Sequence, residues 1–549
     1  MARVVLINLA RQMTPPAERV TAIRPRKKSR FPRVLRYTLA VIGILVALAW
    51  AGLAILVIRA EPYLHDRLIE EMNQRFHGQT ALGSLHVTVF PELRVAGENL
   101  VLRAGQDEAA QPLVINVRHF DLRANPAGLL SRPLRVSTVH VAGLSIVVPP
   151  AGKRPQMTSP ENSESGNSDS KNAFVIGKIV SEDAHLEIQT DKPGKAPLTF
   201  DIQKLVLNSA GPGEAMPFTA QLTNPKPIGY IATKGSLGPW NTDDPRDTPV
   251  SGSYSFMDAD LATINGIGGI LKSKGQFKGP LSKIEVDGET QTPNFVVATG
   301  GHPMPLNTTF RATVDGSTGD TYLHPVQATL ENSYLIANGS VVRENDGHRI
   351  LLTVTATNAR IEDFLKIAVK TVPPALYGPV SLRTKFILPP GAQTVAERLK
   401  LDGSFSLPAA HFSNASAQEK VDRFSVRAEG KPQELKQEDI PDRLSKMVGD
   451  FKLGSGVISL SNLMFEIPGA QVTLAGDYQL EGREFSFEGE ARMQAKISQM
   501  TTGFKSLLLK AIDPFFSKQG AGTVVPIRIS GTGTSPQIGL DFGRPKRLK

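Results

Sequence analysis

The chain has 549 residues, a formal net charge of +10 and no cysteine. The missing cysteines exclude disulfides, thiolate metal sites and a Cys nucleophile, so an exported chain of this kind is held by packing alone. The charge is uneven: ten Lys/Arg against the single acid Glu18 fall in residues 1–36, leaving +1 for everything downstream, which argues against a nucleic-acid partner.

The basic tail, residues 1–36, ends in Arg26, Lys27, Lys28, Arg30, Arg33 and Arg36, followed by 22 uncharged residues, 37–58. A helix of that length rises roughly 33 Å, enough to cross a bilayer's hydrocarbon core. Tyr37, Leu39, Ile42, Leu45, Trp50, Leu53, Leu56 and Ile58 are its predicted anchor residues. The positive-inside rule puts the N-terminus in the cytoplasm and exports the remainder. A cleaved signal peptide, with Ala47, Ala49 and Ala51 as small-residue sites, is the competing reading; the apolar run is too long for it and the basic region too extended. The basic cluster reads either as a topology determinant or as a contact for anionic lipid.

Leu64, Leu68, Met72 and Phe76 recur every four residues, with Asp66, Arg67, Glu70 and Glu71 between them and Gly78 as a stop. This predicts an amphipathic helix that packs on the first sheet or, alternatively, lies on the membrane surface. Period-two alternation then takes over: Leu85, Val87 and Val89, then Leu93 and Val95, then Leu100 and Leu102. These residues are the candidate groove face. A first module spans residues 61–150, and the Ser/Asn/Pro-rich residues 151–172 read as a flexible linker.

The central β region, 173–375, carries turn signals at Asp287-Gly288, Asp315-Gly316 and Asn338-Gly339, and "YLIANGSVV" predicts a two-residue hairpin. Helices are predicted at "ARIEDFLKIAVK", "DIPDRLSKMVGDF" and "ISQMTTGFKSLLLKAIDPFF". In the last region, 376–549, Phe504, Leu508, Ile512, Phe515 and Phe516 form an apolar helical band that covers the groove or its edge, or docks on the outer membrane or a partner. Strand-ending turns that combine glycines with a Pro, in the segments starting at Gly235, Gly275 and Gly531, are weakly similar and favour a sheet that grows by like units along one axis. At about 12–16 residues per strand and turn, the exported part would hold roughly 30–40 strands along some 150–190 Å.

The predicted fold class is therefore mainly β: one N-terminal transmembrane helix, then an elongated, curved antiparallel sheet with a few amphipathic helices. Alternation alone leaves an open groove and a closed sandwich equally available. No G-x-S-x-G, G-x-x-x-x-G-K-[ST], H-E-x-x-H or complete G-x-G-x-x-G occurs, and the ten His are scattered. The expectation is no enzyme, no cofactor and no metal.

The order of these segments resembles the AsmA-like family of bacterial envelope proteins. The likeness rests on the apolar anchor followed by "LHDRLIEEMNQRFHGQTALGSLHVTVFPELRVAGENLVLR", on "ATNARIEDFLKI", and on the C-terminal "FKSLLLKAIDPFFSKQGAGTVVPIRISGTGTSPQIGLD". It implies a single-pass inner-membrane protein with its bulk in the periplasm. The implied architecture is a curved β groove, and the implied partners are the lipid bilayer, phospholipid and other envelope proteins. The implied role is outer-membrane biogenesis through lipid transport. A scaffold or regulator of outer-membrane protein assembly is the alternative, and a periplasmic hydrolase the remotest one.

Overall fold

The computed structural model describes residues 62–63, 65–74, 78–88, 92–104, 112–125, 134–150, 174–189, 196–211, 213–241, 244–345, 347–436, 443–501, 522–532 and 535–540. The chain divides into Met1–Ala60 and Glu61–Lys549, and every described residue belongs to the second unit. The basic tail, the predicted anchor at 37–58, the linker at 151–172 and the apolar band from Phe504 to Phe516 lie outside the described residues. Among the described residues, no helix is long and apolar enough to cross a membrane.

Among the described residues, twenty-six strands join in one long, curved sheet with few helices. Strands β1 (Gly78–Ala81) and β2 (Ser84–Thr88) both pair with β3 (Leu93–Ala104). From β3 to β26 (Ser535–Leu540) each long strand pairs with its successor in the chain. The two-residue strands β11 (Ile267–Gly268) and β18 (Leu376–Tyr377) are side ladders on β13 (Ile284–Val297) and β20 (Lys400–Phe412). All neighbours are antiparallel except β5 (Leu134–Val148) and β6 (Phe174–Ile188), which run parallel. Many strands run to 10–15 residues, longer than the sequence spacing suggested. The described ladder is correspondingly shorter than expected, about 105 Å at ~4.8 Å per step.

Three sequence expectations are corrected, two turns and one helix. Asn338-Gly339 is not a hairpin turn but sits inside β16 (Ser333–Glu344), where a Cβ on Gly339 would lie 1.9 Å from the Leu351 carbonyl oxygen. Asp287-Gly288 likewise lies within β13; Asp315-Gly316 does form a turn, with Gly316 N–H donating to Leu281 O. In both misread cases glycine answers a close approach between strands rather than a reversal. The helix expected over "DIPDRLSKMVGDF" is instead strand β21 (Ser445–Gly454), with Met447 facing Leu407 and Phe451 facing Gly403 across the ladder. Its period-two face is obscured in the sequence by Lys, Met and Asp, all compatible with helix.

Described helices cluster at one end of the strands, here termed the helix rim. Helix α1 (residues 65–74) precedes β1 and is tied to the following turn: His65 Nε2 meets Leu82 O at 3.1 Å, and Thr80 N–H donates to Asn73 Oδ1 at 2.6 Å. Helix α2 (Ile361–Ala368) falls where "ARIEDFLKIAVK" predicts it. Its buried first-turn acids each accept hydrogen bonds: Ser333 donates to Asp363 Oδ2 at 2.8 Å and Arg360 to Glu362 at 2.6 Å, while Asp363 Oδ1 is buried without a partner. The opposite strand ends form the turn rim, which carries the one-turn helix α3 (Val395–Arg398) with its Thr394/Glu397 capping box. Helix α4 (Ala415–Ala428), again at the helix rim, has Asn414 as N-cap.

Candidate functional site

Antiparallel and parallel partners in a ladder share a face, so register alone shows which side chains are neighbours. From the N-terminal end the partners run Val87, Val95, Leu122, Val139, Ile179, Leu207, Phe218, Gly235 and Gly252. They continue through Phe277, Val286, Ala312, Leu323, Gly339, Leu352 and Phe386. Leu401, Leu453, Ile458, Tyr478, Phe485 and Gly531 complete the file. No charged side chain interrupts it. One residue away, on the other face, partners read Thr219, Lys234, Ser253, Gln276, Asp287 and Arg311.

The predicted groove residues Leu85, Val87, Leu93, Val95, Leu100 and Leu102 fall on the apolar side of this sheet; Val89 lies outside the described residues. In an uninterrupted strand Leu93 and Val95 would oppose Leu100 and Leu102, because their spacing is odd. Asn99, at φ 54°, takes up the difference, and Asp183 (φ 53°) and Gly143 (φ 65°) do so in neighbouring strands. Such kinks keep one face apolar along the full strand.

Burial identifies this face as the concave one. Along β12 (Ile270–Pro280) every outward residue from Lys272 to Lys278 is exposed, while Leu271, Ser273, Gly275 and Phe277 are half-buried. Among the described residues no second sheet packs on the apolar side, which decides against the sandwich. Its large side chains Phe218, Phe277, Val286, Phe310 and Leu323 stay half-buried.

Aromatic rings pave the floor by lying on cross-strand glycines. A Cβ on Gly97 would meet the Phe120 ring at 2.5 Å, and one on Gly252 would meet Phe277 at 2.8 Å. Gly288 under Phe310 and Gly476 under Phe487 repeat the device, at 2.8 and 2.7 Å. The ring covers the exposed backbone and adds apolar area without standing up into the trough.

Several hydroxyls on this face are bonded within the sheet. Thr233 donates to Ser253 O at 3.0 Å, Ser273 to Glu289 O at 2.9 Å, and Thr290 and Thr308 bond each other at 2.7 Å. Burial pushes the Tyr254 phenol up, against a hydrogen bond with Ser273 that works the other way, so it stays neutral. The trough therefore presents mostly carbon.

The trough is not uniform. Buried apolar clusters form where helices α2 and α4 lie on the helix-rim half of the face. Ile361 and Phe364 pack on Ala356, Val380, Leu407 and Ala410; Phe424 packs on Val472, Leu474 and Ala491. Helix α4, absent from the sequence expectations, is stitched in place: Gln418 donates to Asp422 at 2.9 Å, Arg443 N–H to Asp422 at 2.8 Å, and Ser425 to Pro468 O at 2.7 Å.

The outer face carries the ionic chemistry. Asp121, 5 % exposed, is opposed by its own burial, yet hydrogen bonds from Arg94 and Arg123 outweigh this and hold its carboxyl below the usual range. His185 meets Asp201 at 2.7 Å and His140 meets Glu182 at 3.5 Å, both at exposed positions. Among the described residues no group of three or more His, Asp or Glu could hold a metal ion.

No family model, no curated protein and no solved structure matches the chain.

Proposed function

We propose that this chain is a non-enzymatic, AsmA-like carrier of phospholipid, tethered in a bacterial inner membrane by residues 37–58 and working in the periplasm for envelope biogenesis. The observation that carries the reading is the unbroken apolar file along a concave, largely uncovered face. Each CH₂ removed from water is worth about 0.8 kcal/mol, so a continuous carbon surface of this length suits acyl chains and little else that is soluble. Headgroups would remain in water at the mouth while tails lie against the aromatic floor. The near-neutral balance beyond residue 36 fits a zwitterionic or mixed lipid rather than a nucleic acid.

A second reading, a scaffold for outer-membrane protein assembly, draws on exposed apolar side chains of the outer face. Tyr230 and Met257 are ladder partners there, at 63 % and 48 % exposure. One experiment separates the two. A photo-crosslinking amino acid at Val286, inside the trough, should capture phospholipid identifiable by mass spectrometry, while the same group at the adjacent outward Asp287 should capture none. Protein adducts at Asp287 with no lipid at Val286 would replace the carrier with the scaffold.

A further inference from the structure

Among the described residues two contacts join the helix rim to the turn rim, and both have the same geometry. In the first, Arg343 Nη2, near the turn-rim end of β16, donates to Pro197 O at 2.6 Å, at the helix-rim start of β7 (Leu198–Ala210). A Cβ on Gly319, also at the turn rim, would lie 3.3 Å from Leu198 Cδ1. In the second, the helix-rim loop after β10 (Pro249–Asp260) meets the turn-rim loop between β19 (Pro379–Leu388) and β20. Val395 N–H donates to Asn265 O at 2.9 Å, and Asn265 Nδ2 donates to Ala392 O at 3.1 Å. Gly266 closes against Val395 and Thr394, where a Cβ would have only 2.8 and 3.1 Å.

The second contact joins strands seven ladder steps apart, β10 to β19 or β12 to β20, and the first joins β7 to strands six to eight steps on. The shared offset is the signature of strands crossing a trough obliquely, so that the rims facing each other belong to distant strands. These contacts bridge the mouth.

Resting on the carrier reading above, we infer that the Asn265 bridge is a gate, a strap that must open each time a lipid passes along the trough. Tails slide beneath it on the apolar file. The headgroup, riding in water at the mouth, meets it. Dragging a phosphate under the strap would strip it of water against a carbon floor on which Thr233, Ser273, Thr290 and Thr308 already bond within the sheet. Opening the strap breaks two hydrogen bonds, one of them exposed, and both partners regain water. The second route is far easier, and the rim contact is the element that moves.

The chain's lack of cysteine makes the test clean. Asn265→Cys and Ala392→Cys are introduced together in the full chain, reconstituted in vesicles containing a phospholipid with a photoactivatable acyl chain, and joined by a short reducible bis-maleimide. Before locking, label should appear on the inner face both from β8 (Met216–Pro225) to β10 and from β21 to β24 (Glu484–Met493). Locking should cut the β21–β24 label at least ten-fold and leave the earlier label, and reduction of the linker should restore it. Equal label on both sides of a locked strap, or label that never passes the unlocked one, overturns the gate. No inner-face label in any state overturns the carrier reading itself. Asn265→Ala, which removes one bond without a crosslink, should speed arrival at β21–β24 by about five-fold; an unchanged or slower arrival counts against the gate.

Discussion

Two stretches of the same sheet use one apolar face in opposite ways. Between β8 (Met216–Pro225) and β16 the described helices reach only the helix-rim half of the face, where Met304 and Leu330 are buried, and on the turn-rim half large side chains such as Phe277 and Leu323 stay half-buried. Between β20 and β25 (Thr523–Thr532) helix α4 lies on it, and Val472, Leu474 and Ala491 become core. The sequence alternation is the same in both. The lesson is that alternation makes a face, whereas the insertion between two strands determines whether that face is a core or a surface.

Substitution can break the comparison. Leu474→Asp places an unpaired carboxylate beneath Phe424 and should cost about 4 kcal/mol or more, or prevent folding. Leu323→Asp, on the uncovered stretch, should cost only about 1–2 kcal/mol because water reaches the new charge. Equal losses in urea unfolding would mean that both stretches are sealed. Phe424→Ala should cost about 2–3 kcal/mol by leaving a cavity under α4, read by the same titration.

Smaller effects sharpen it. Gly288→Ala drives a methyl into the Phe310 ring and the Tyr254 hydroxyl, which lie 2.8 and 2.6 Å from its Cβ position. The ring must lift, at about 1–2 kcal/mol, and near-UV circular dichroism should change. Gly454→Ala, with nothing within 4 Å, should stay within about 0.5 kcal/mol. Acid should act on neither stretch but on the outer face. Because Asp121 titrates lower folded than unfolded, its contribution is present above the ordinary carboxylate range and is lost as pH falls through its depressed folded value. Asp121→Asn should flatten the acid limb of a stability–pH curve.

Much of the sheet was legible because burial on one face forces period two, and Leu85, Val87, Leu93 and Val95 display it plainly. What was not legible has physical causes. The switch at Asn99 is a single left-handed residue with no hydrophobic signature. Gly339 and Gly288 follow Asn and Asp, which imitate a turn, yet each is a glycine because another strand's backbone or ring needs the space. Helix α4 was missed because much of what it buries is polar: Gln418, Asp422 and Ser425 are inside, each with a hydrogen-bond partner, so no apolar stripe marks them. Its only local signals were Asn414 at the start and Gly430 after the end.

The strand order also determines how the molecule comes into being. Beyond β6, every long strand docks on the one made just before it, most of them across short connections, so sheet formation keeps contact order low. A chain emerging from its N-terminus can add one strand at a time to a growing edge, each finished edge serving as the template for the next. The parallel union of β5 and β6 is the exception, since the chain must return to its starting end before pairing can resume. Assembly therefore has one slow stitch early and a zipper after it.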